Sequence, residues 1–146
     1  MRNHYEKVVV ILLVAVLLIA LCSCSEPIVT SIGGVECDIG KVATASEVGG
    51  VKAEGSGNVL MTVNVEPASA IDADKYTEVF FGETKSVAAS DSGKYECKAI
   101  GFAQDEDGTL VGVPIYEIPA PGEKPTEYTI SGQGFDSFTV SVKASK

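Results

Sequence analysis

Polar and apolar residues alternate along this chain in short runs, and each run is closed by Gly, Pro, Asn or Asp. Phe138, Val140 and Val142 alternate with Thr139, Ser141 and Lys143. This period of two puts one face of a strand in a core and the other in water. Val35, Cys37 and Ile39 alternate with Glu36 and Asp38 in the same way, over a run that extends towards Ala45. Residues 59–65 are apolar on both faces in their first half, which predicts a central strand ended by Pro67. Further strands are predicted over residues 28–32, 76–81, 86–89, 94–102, 109–118 and 127–130. No helical stripe of useful length is present. Residues 68–74 read as a crossing or a single helical turn, with Ser69 as a possible cap. Several short strands at this spacing, about eight or nine in all, predict an all-β sandwich or barrel.

The punctuation between the runs adds detail. Gly49-Gly50 and residues 54–58 mark a loose loop or hairpin, and Asp105-Glu106-Asp107-Gly108 a polar hairpin tip. Asp91-Ser92-Gly93 is a tight turn running into a strand whose inward positions, by alternation, are Tyr95, Cys97 and Ala99. Pro114 lies inside the strand predicted over 109–118. Proline removes a ladder donor, so that strand is expected at an edge or at a bulge, and its edge is a candidate contact for a partner. Pro119, Pro121 and Pro125 make a stiff extended connection.

The N-terminus changes the picture from a bare domain to an exported one. From Val8 to Leu21 there are 14 uninterrupted apolar residues, with Arg2 and Lys7 before them. That length suits a signal-peptide core and falls short of the roughly 20 residues of a membrane span. The run ends in Leu21-Cys22-Ser23-Cys24-Ser25, which resembles the bacterial lipobox. The resemblance implies that Cys24 receives a diacylglyceryl group and becomes the first mature residue, with further acylation such as palmitate. Cys22 fits less well, since Leu21 would then fill the small-residue position. The expected division is a lipoprotein signal peptide over 1–23, the lipidated cysteine and tether over 24–33, and one domain over 34–146. Ser25 after the cysteine resembles the signal for sorting to an outer membrane where one exists. The expected location is a lipid-anchored domain at the cell membrane or outer membrane, outside the cytoplasm.

Composition then removes chemistries. Arg2 and His4 belong to the leader, so the chain from Cys24 onward holds no Arg and no His, and Trp is absent throughout. No His means no Ser-His-Asp or Cys-His pair and no imidazole metal site. No Arg means no bidentate phosphate clamp. The same stretch carries nine Lys against 19 Asp and Glu, a strongly acidic balance that repels nucleic acid and anionic lipid. With Cys22 removed and Cys24 lipidated, Cys37 and Cys97 remain, 60 residues apart. In an oxidising compartment they allow one disulfide, pinning two facing strands through the core. The alternative is two buried free thiols.

Asp91-Ser92-Gly93-Lys94-Tyr95-Glu96-Cys97 resembles the Asp-x-Gly-x-Tyr-x-Cys of immunoglobulin domains, whose Tyr hydroxyl bonds back to the corner backbone. That implies a structural role for Tyr95. The core Trp of that family is missing, and 49 residues follow Cys97, more than one final strand needs. The chain as a whole is more similar to the telokin-like, immunoglobulin-like domain of bacterial lipoproteins. The matching pieces are the lipobox, Gly33-Gly34, residues 59–65, residues 91–95 as a hairpin turn, residues 109–118, and the closing strand 138–142. The resemblance implies an immunoglobulin-like β-sandwich.

Candidate sites are few. Asp105, Glu106 and Asp107, and the pair Asp72 and Asp74, offer oxygen ligands for calcium but lack EF-hand spacing, and solvated turns explain them as well. Tyr76, Phe80, Phe81, Tyr116 and Tyr128 could form a stacking face, or core packing. No pair of carboxylates is nominated for glycoside hydrolysis. The expected function is therefore a binding or adhesion module of the cell envelope, without catalytic activity and without a cofactor. Its partners would be the membrane, through Cys24, and an envelope or extracellular protein, with no nucleic acid. The alternative is a structural or assembly accessory, or an inhibitor-type partner, of an envelope protein.

Overall fold

The computed structural model of the protein describes residues 27–144. The expected leader, Cys22 and Cys24 lie outside the described residues, and so does the expected lipidation at Cys24. The elements, in chain order, are β1 (Ile28–Ile32), β2 (Val35–Ala45), β3 (Glu47–Val48), β4 (Val51–Lys52), β5 (Asn58–Pro67), α1 (Ala73–Phe81), β6 (Val87–Ser90), β7 (Gly93–Gln104), β8 (Leu110–Pro119), β9 (Thr126–Ser131) and β10 (Phe138–Val142). Eight strands form one antiparallel sheet in the order β1-β2-β5-β8-β7-β6-β9-β10. β3 and β4 form a separate hairpin.

The architecture is all-β, as the alternation predicts, but it is a nearly closed, barrel-like sheet. The immunoglobulin-like sandwich is not confirmed by this arrangement. The reason lies in β7, which is 12 residues long. Its first part, Gly93–Glu96, pairs with β6, and its second part, Cys97–Gln104, pairs with β8. A sandwich keeps two sheets apart; here one strand runs through both halves and makes them continuous. The turn between the halves is a bulge at Lys98, where the register to β8 shifts between Cys97 and Ala99. Bulges bend and twist a strand. A second bulge on β2, between Ile39 and Val42, coils the other half. The two ends of the sheet then meet. Ile32 bridges Phe135, and Thr30 Oγ1 donates to the Asp136 carbonyl at 2.6 Å. β1 is thus a strand of the sheet, so residues 28–32, expected within the tether over 24–33, belong to the folded body.

The Lys98 bulge also corrects the inward set on β7. Cys97 faces the main core, but the extra residue reverses the phase. Ile100 and Phe102 then point inward, and Ala99 joins Leu60 and Ile115 in a second apolar cluster outside the barrel wall. That cluster is covered by the β3–β4 hairpin through Val48, Val51 and Ala53. This explains why β5 is apolar on both faces at its start: Leu60 faces the hairpin and Met61 the barrel interior.

Pro114 is not at an edge. β8 is central, between β5 and β7, and Pro114 is buried. The sheet tolerates it because the β5–β8 ladder is interrupted there. Pairing holds at Thr62–Ile115 and resumes at Val65–Gly112 in the same register, and the bulge lies in the partner strand. An edge contact at Pro114 is therefore ruled out.

A further correction is α1. Residues 76–81, expected as a strand, are helical. They form a helix because Tyr76, Val79 and Phe80 are spaced i, i+3, i+4, one apolar helical face, and all three are buried. Asp72, not Ser69, caps it, its carboxylate accepting from the Lys75 N–H at 3.0 Å. Asp74 follows in the first turn, where negative charge suits the helix dipole. The helix packs against β7 and β8 at one end of the barrel. The Tyr76 ring lies flat against Gly112, where a Cβ would come within 2.5 Å of it, and its hydroxyl donates to the Leu110 carbonyl at 3.0 Å.

Candidate functional site

The sequence-predicted sites mostly resolve into structure-bearing groups. Tyr76, Phe80, Tyr116 and Tyr128 are buried, and Phe81 packs at the core margin under the Lys85 ammonium, 4.3 Å from its ring centroid. Of the two readings of these aromatics, core packing is the one the structure shows. Tyr95 is half-buried. Its hydroxyl meets Ser92 Oγ at 3.0 Å and its ring sits edge-on to Tyr128. That is a contact within the β6–β7 hairpin, not a bond across sheets to corner backbone, so Asp91-Ser92 is a two-residue hairpin turn.

Cys37 and Cys97 are separate buried thiols, and the expected disulfide is not made. In the sheet β5 and β8 stand between their strands. Three strand spacings amount to about 14 Å, twice the Cα separation a disulfide spans. Each thiol donates to a nearby carbonyl instead, Cys37 to Val35 and Cys97 to Ala99. Burial pushes Cys37 up to about 11 and Cys97 up to about 12, so neither is a thiolate near neutrality. A maleimide should leave both unlabelled in the folded protein and label both after unfolding. Reductant should not change the mass of a fragment containing them. Rapid native labelling, or a mass gain on reduction, would contradict the placement.

The acidic candidates are local. Asp105 Oδ1 accepts from the N–H groups of Asp107 and Thr109, both at 2.9 Å, which closes the β7–β8 hairpin tip. Asp72 is spent on the helix cap. Among the described residues no group of three His, Cys, Asp or Glu side chains could hold a metal ion.

Two polar constructions were not foreseen. The first is a clasp on the outer wall. Glu117 Oε2 accepts from the N–H groups of Glu54 and Gly55, at 2.9 and 2.7 Å, and from Asn58 Nδ2 at 3.0 Å. Its other oxygen accepts from Lys98 Nζ at 3.0 Å, and Lys98 also reaches Glu54 at 3.3 Å. One carboxylate so ties the β3–β4 hairpin over its apolar cluster. The backbone donors of this loop, Gly55 first, hold Glu117 down to about 2 from an ordinary 4.5. A depressed carboxylate contributes stability above its unfolded value and loses it as pH falls. The clasp should therefore hold at neutral pH and weaken between about pH 4.5 and 2. Glu117→Gln should lower the hydrogen-exchange protection of the Glu54 and Gly55 amides roughly tenfold while the barrel strands keep theirs. Unchanged protection would mean that the hairpin is held by apolar contact alone. The only sequence signal was an acid alternating among buried residues of β8.

The second is a buried triad. Ser86 Oγ donates to the Ser131 carbonyl at 2.9 Å and lies 2.8 Å from the Tyr116 hydroxyl. It joins the end of the α1 connection to β8 and β9.

The open surfaces lie at the helix-capped end. A groove of about 270 Å³ runs between the β1–β2 turn and the start of α1, lined by Gly33, Val35, Ile71 and Asp72. A second, of about 370 Å³, lies on the other flank, lined by Glu78, Glu83, Thr84 and Gln133. Lys75 borders both. Its ammonium stands 3.8 Å from Glu78, an exposed pair that leaves it able to reach a ligand. The first groove is mostly aliphatic with one acid, Asp72, and the second carries two acids, Glu78 and Glu83, beside one aliphatic side chain, Val79. Comparison with protein-family models, with curated proteins and with solved structures finds no match for this chain.

Proposed function

We propose that the protein is an exported, lipid-anchored binding module of the cell envelope that acts by contact and performs no catalysis. Cys24 carries the anchor, and the capped end of the barrel carries the contact. The observation behind this reading is the pair of grooves flanking α1, which meet at Lys75. A rigid barrel supports them, and no nucleophile-base pair or metal-ligand group converges on them. Their acidic rim, with Asp72, Glu78 and Glu83, suits a partner protein presenting basic side chains. The test is cross-linking in intact cells from a photoreactive residue at Gln133, followed by mass spectrometry that also reads acylation at Cys24. One envelope or extracellular protein should be captured, and Glu78→Lys with Glu83→Lys should abolish its capture. Diffuse labelling of many proteins, or capture indifferent to those charges, would defeat the reading. Mature protein lacking acyl groups would defeat the anchor.

A further inference from the structure

Among the described residues, the large apolar side chains left exposed are Ile28 at 36% and Val29 at 44%. They are adjacent, and they sit at the free end of β1, an end strand of the sheet. Farther along the same strand Thr30 and Ile32 are buried, so the exposure is confined to this tip. The tip lies four residues after Cys24. Four residues of chain reach at most about 14 Å. An acylated Cys24 would hold Ile28 within about 14 Å of the bilayer surface, and Val29 one residue farther.

We infer that Ile28 and Val29 form a membrane-seating tip, entering the lipid interface beside the anchor and fixing the side on which the barrel lies. This rests on the acylation of Cys24. Two side chains alone would bind a bilayer weakly. A short tether raises their effective concentration at the surface to the millimolar range or above, where weak burial suffices. The flanking charges choose the lipid. Asp38 is the cross-strand partner of Val29, and Glu66 is the partner of Asp38. These acids oppose anionic headgroups and tolerate the outward-facing cation of phosphatidylcholine. The seated side is the β1 side of the barrel. β7 is four strands from β1 in the sheet order, so on this seating it lies farther from the membrane than β1.

The absence of Trp makes the test direct, because one introduced Trp is the only indole in the chain. Val29→Trp is compared with Gln104→Trp, an exposed position on β7, in acylated protein on phosphatidylcholine vesicles with and without brominated acyl chains. Interfacial side chains lie about 5–10 Å into the headgroup–acyl boundary, so roughly half of the Val29→Trp emission should be quenched and Gln104→Trp should keep its own. Ile28→Trp carries the same expectation and replaces Val29→Trp should that variant fail to fold. Vesicle-bound protein with unquenched Trp at both 28 and 29, or equal quenching at 104, would overturn the seating while leaving the anchor intact. Protein that does not bind vesicles would overturn the anchor, and the seating with it.

Discussion

Phe80→Ala should destabilise the protein by about 3–5 kcal/mol, the range for removing a buried ring and leaving a partly unfilled cavity. Phe80 is fully buried and its ring lies 4.7 Å from that of Phe135, which in turn contacts Phe138 at 6.0 Å. These rings join α1 to the segment that closes the sheet, since Phe135 is the residue bridged to Ile32. An eight-stranded barrel has an interior only wide enough for side chains to fill. An empty ring site at its end cannot collapse without moving the helix or the seam. A domain of this size is stable by about 5–15 kcal/mol, so the variant should remain folded at low temperature with much of its margin gone. Denaturant unfolding of the two proteins measures it. A loss under about 1 kcal/mol would mean that the helix is not an integral plug.

Ser86→Ala should cost more than Tyr116→Phe, although the latter removes a group from the same hydrogen bond. Ser86 has one hydroxyl proton and gives it to the Ser131 carbonyl, so Tyr116 donates to Ser86. Burial holds the Tyr116 hydroxyl well above its ordinary pKa, so it keeps that proton across the working range. Alanine at 86 strands two partners, a buried hydroxyl and a half-buried carbonyl, at about 1–3 kcal/mol for a fully buried unsatisfied group and less for the carbonyl. Phenylalanine at 116 leaves Ser86 still donating and should cost about 0.5–1.5 kcal/mol. The double variant should cost less than the sum, because the shared bond is lost once. Equal costs, or the reverse order, would assign the proton the other way.

Strands were the legible part of this chain. The runs at 28–32, 127–130 and 138–143 fall on β1, β9 and β10, because a strand with one wet face shows its period to the reader, and the run at 59–65 falls on β5, because a strand covered on both faces shows as a continuous apolar run. α1 was not, because a β-rich composition and a nine-residue length hid three positions spaced for a helix. The phase of β7 was not, because a one-residue bulge reverses every side chain after it and leaves no mark in composition. Tyr95-Glu96-Cys97 illustrates both sides. The alternation placed Cys97 inward correctly, yet its supposed partner, Cys37, stands three strands away. Glu117 and Ser86 were illegible as sites because their partners lie far along the chain: Gly55 is 62 residues from Glu117, and Ser131 is 45 from Ser86.

Local pattern alone settled the all-β class, most strand positions, the acidic balance, and the lack of Arg and His beyond His4. Those properties follow from residue identity and nearest-neighbour periodicity, which a one-dimensional reading contains. Closure was decided only in three dimensions. Whether eight strands stack as two layers or curl into one depends on bulges at Lys98 and near Gly40, on a strand shared between both halves, and on a helix that fills the end. Each of these is a relation between distant segments, and the energy that selects them appears only when those segments are in contact.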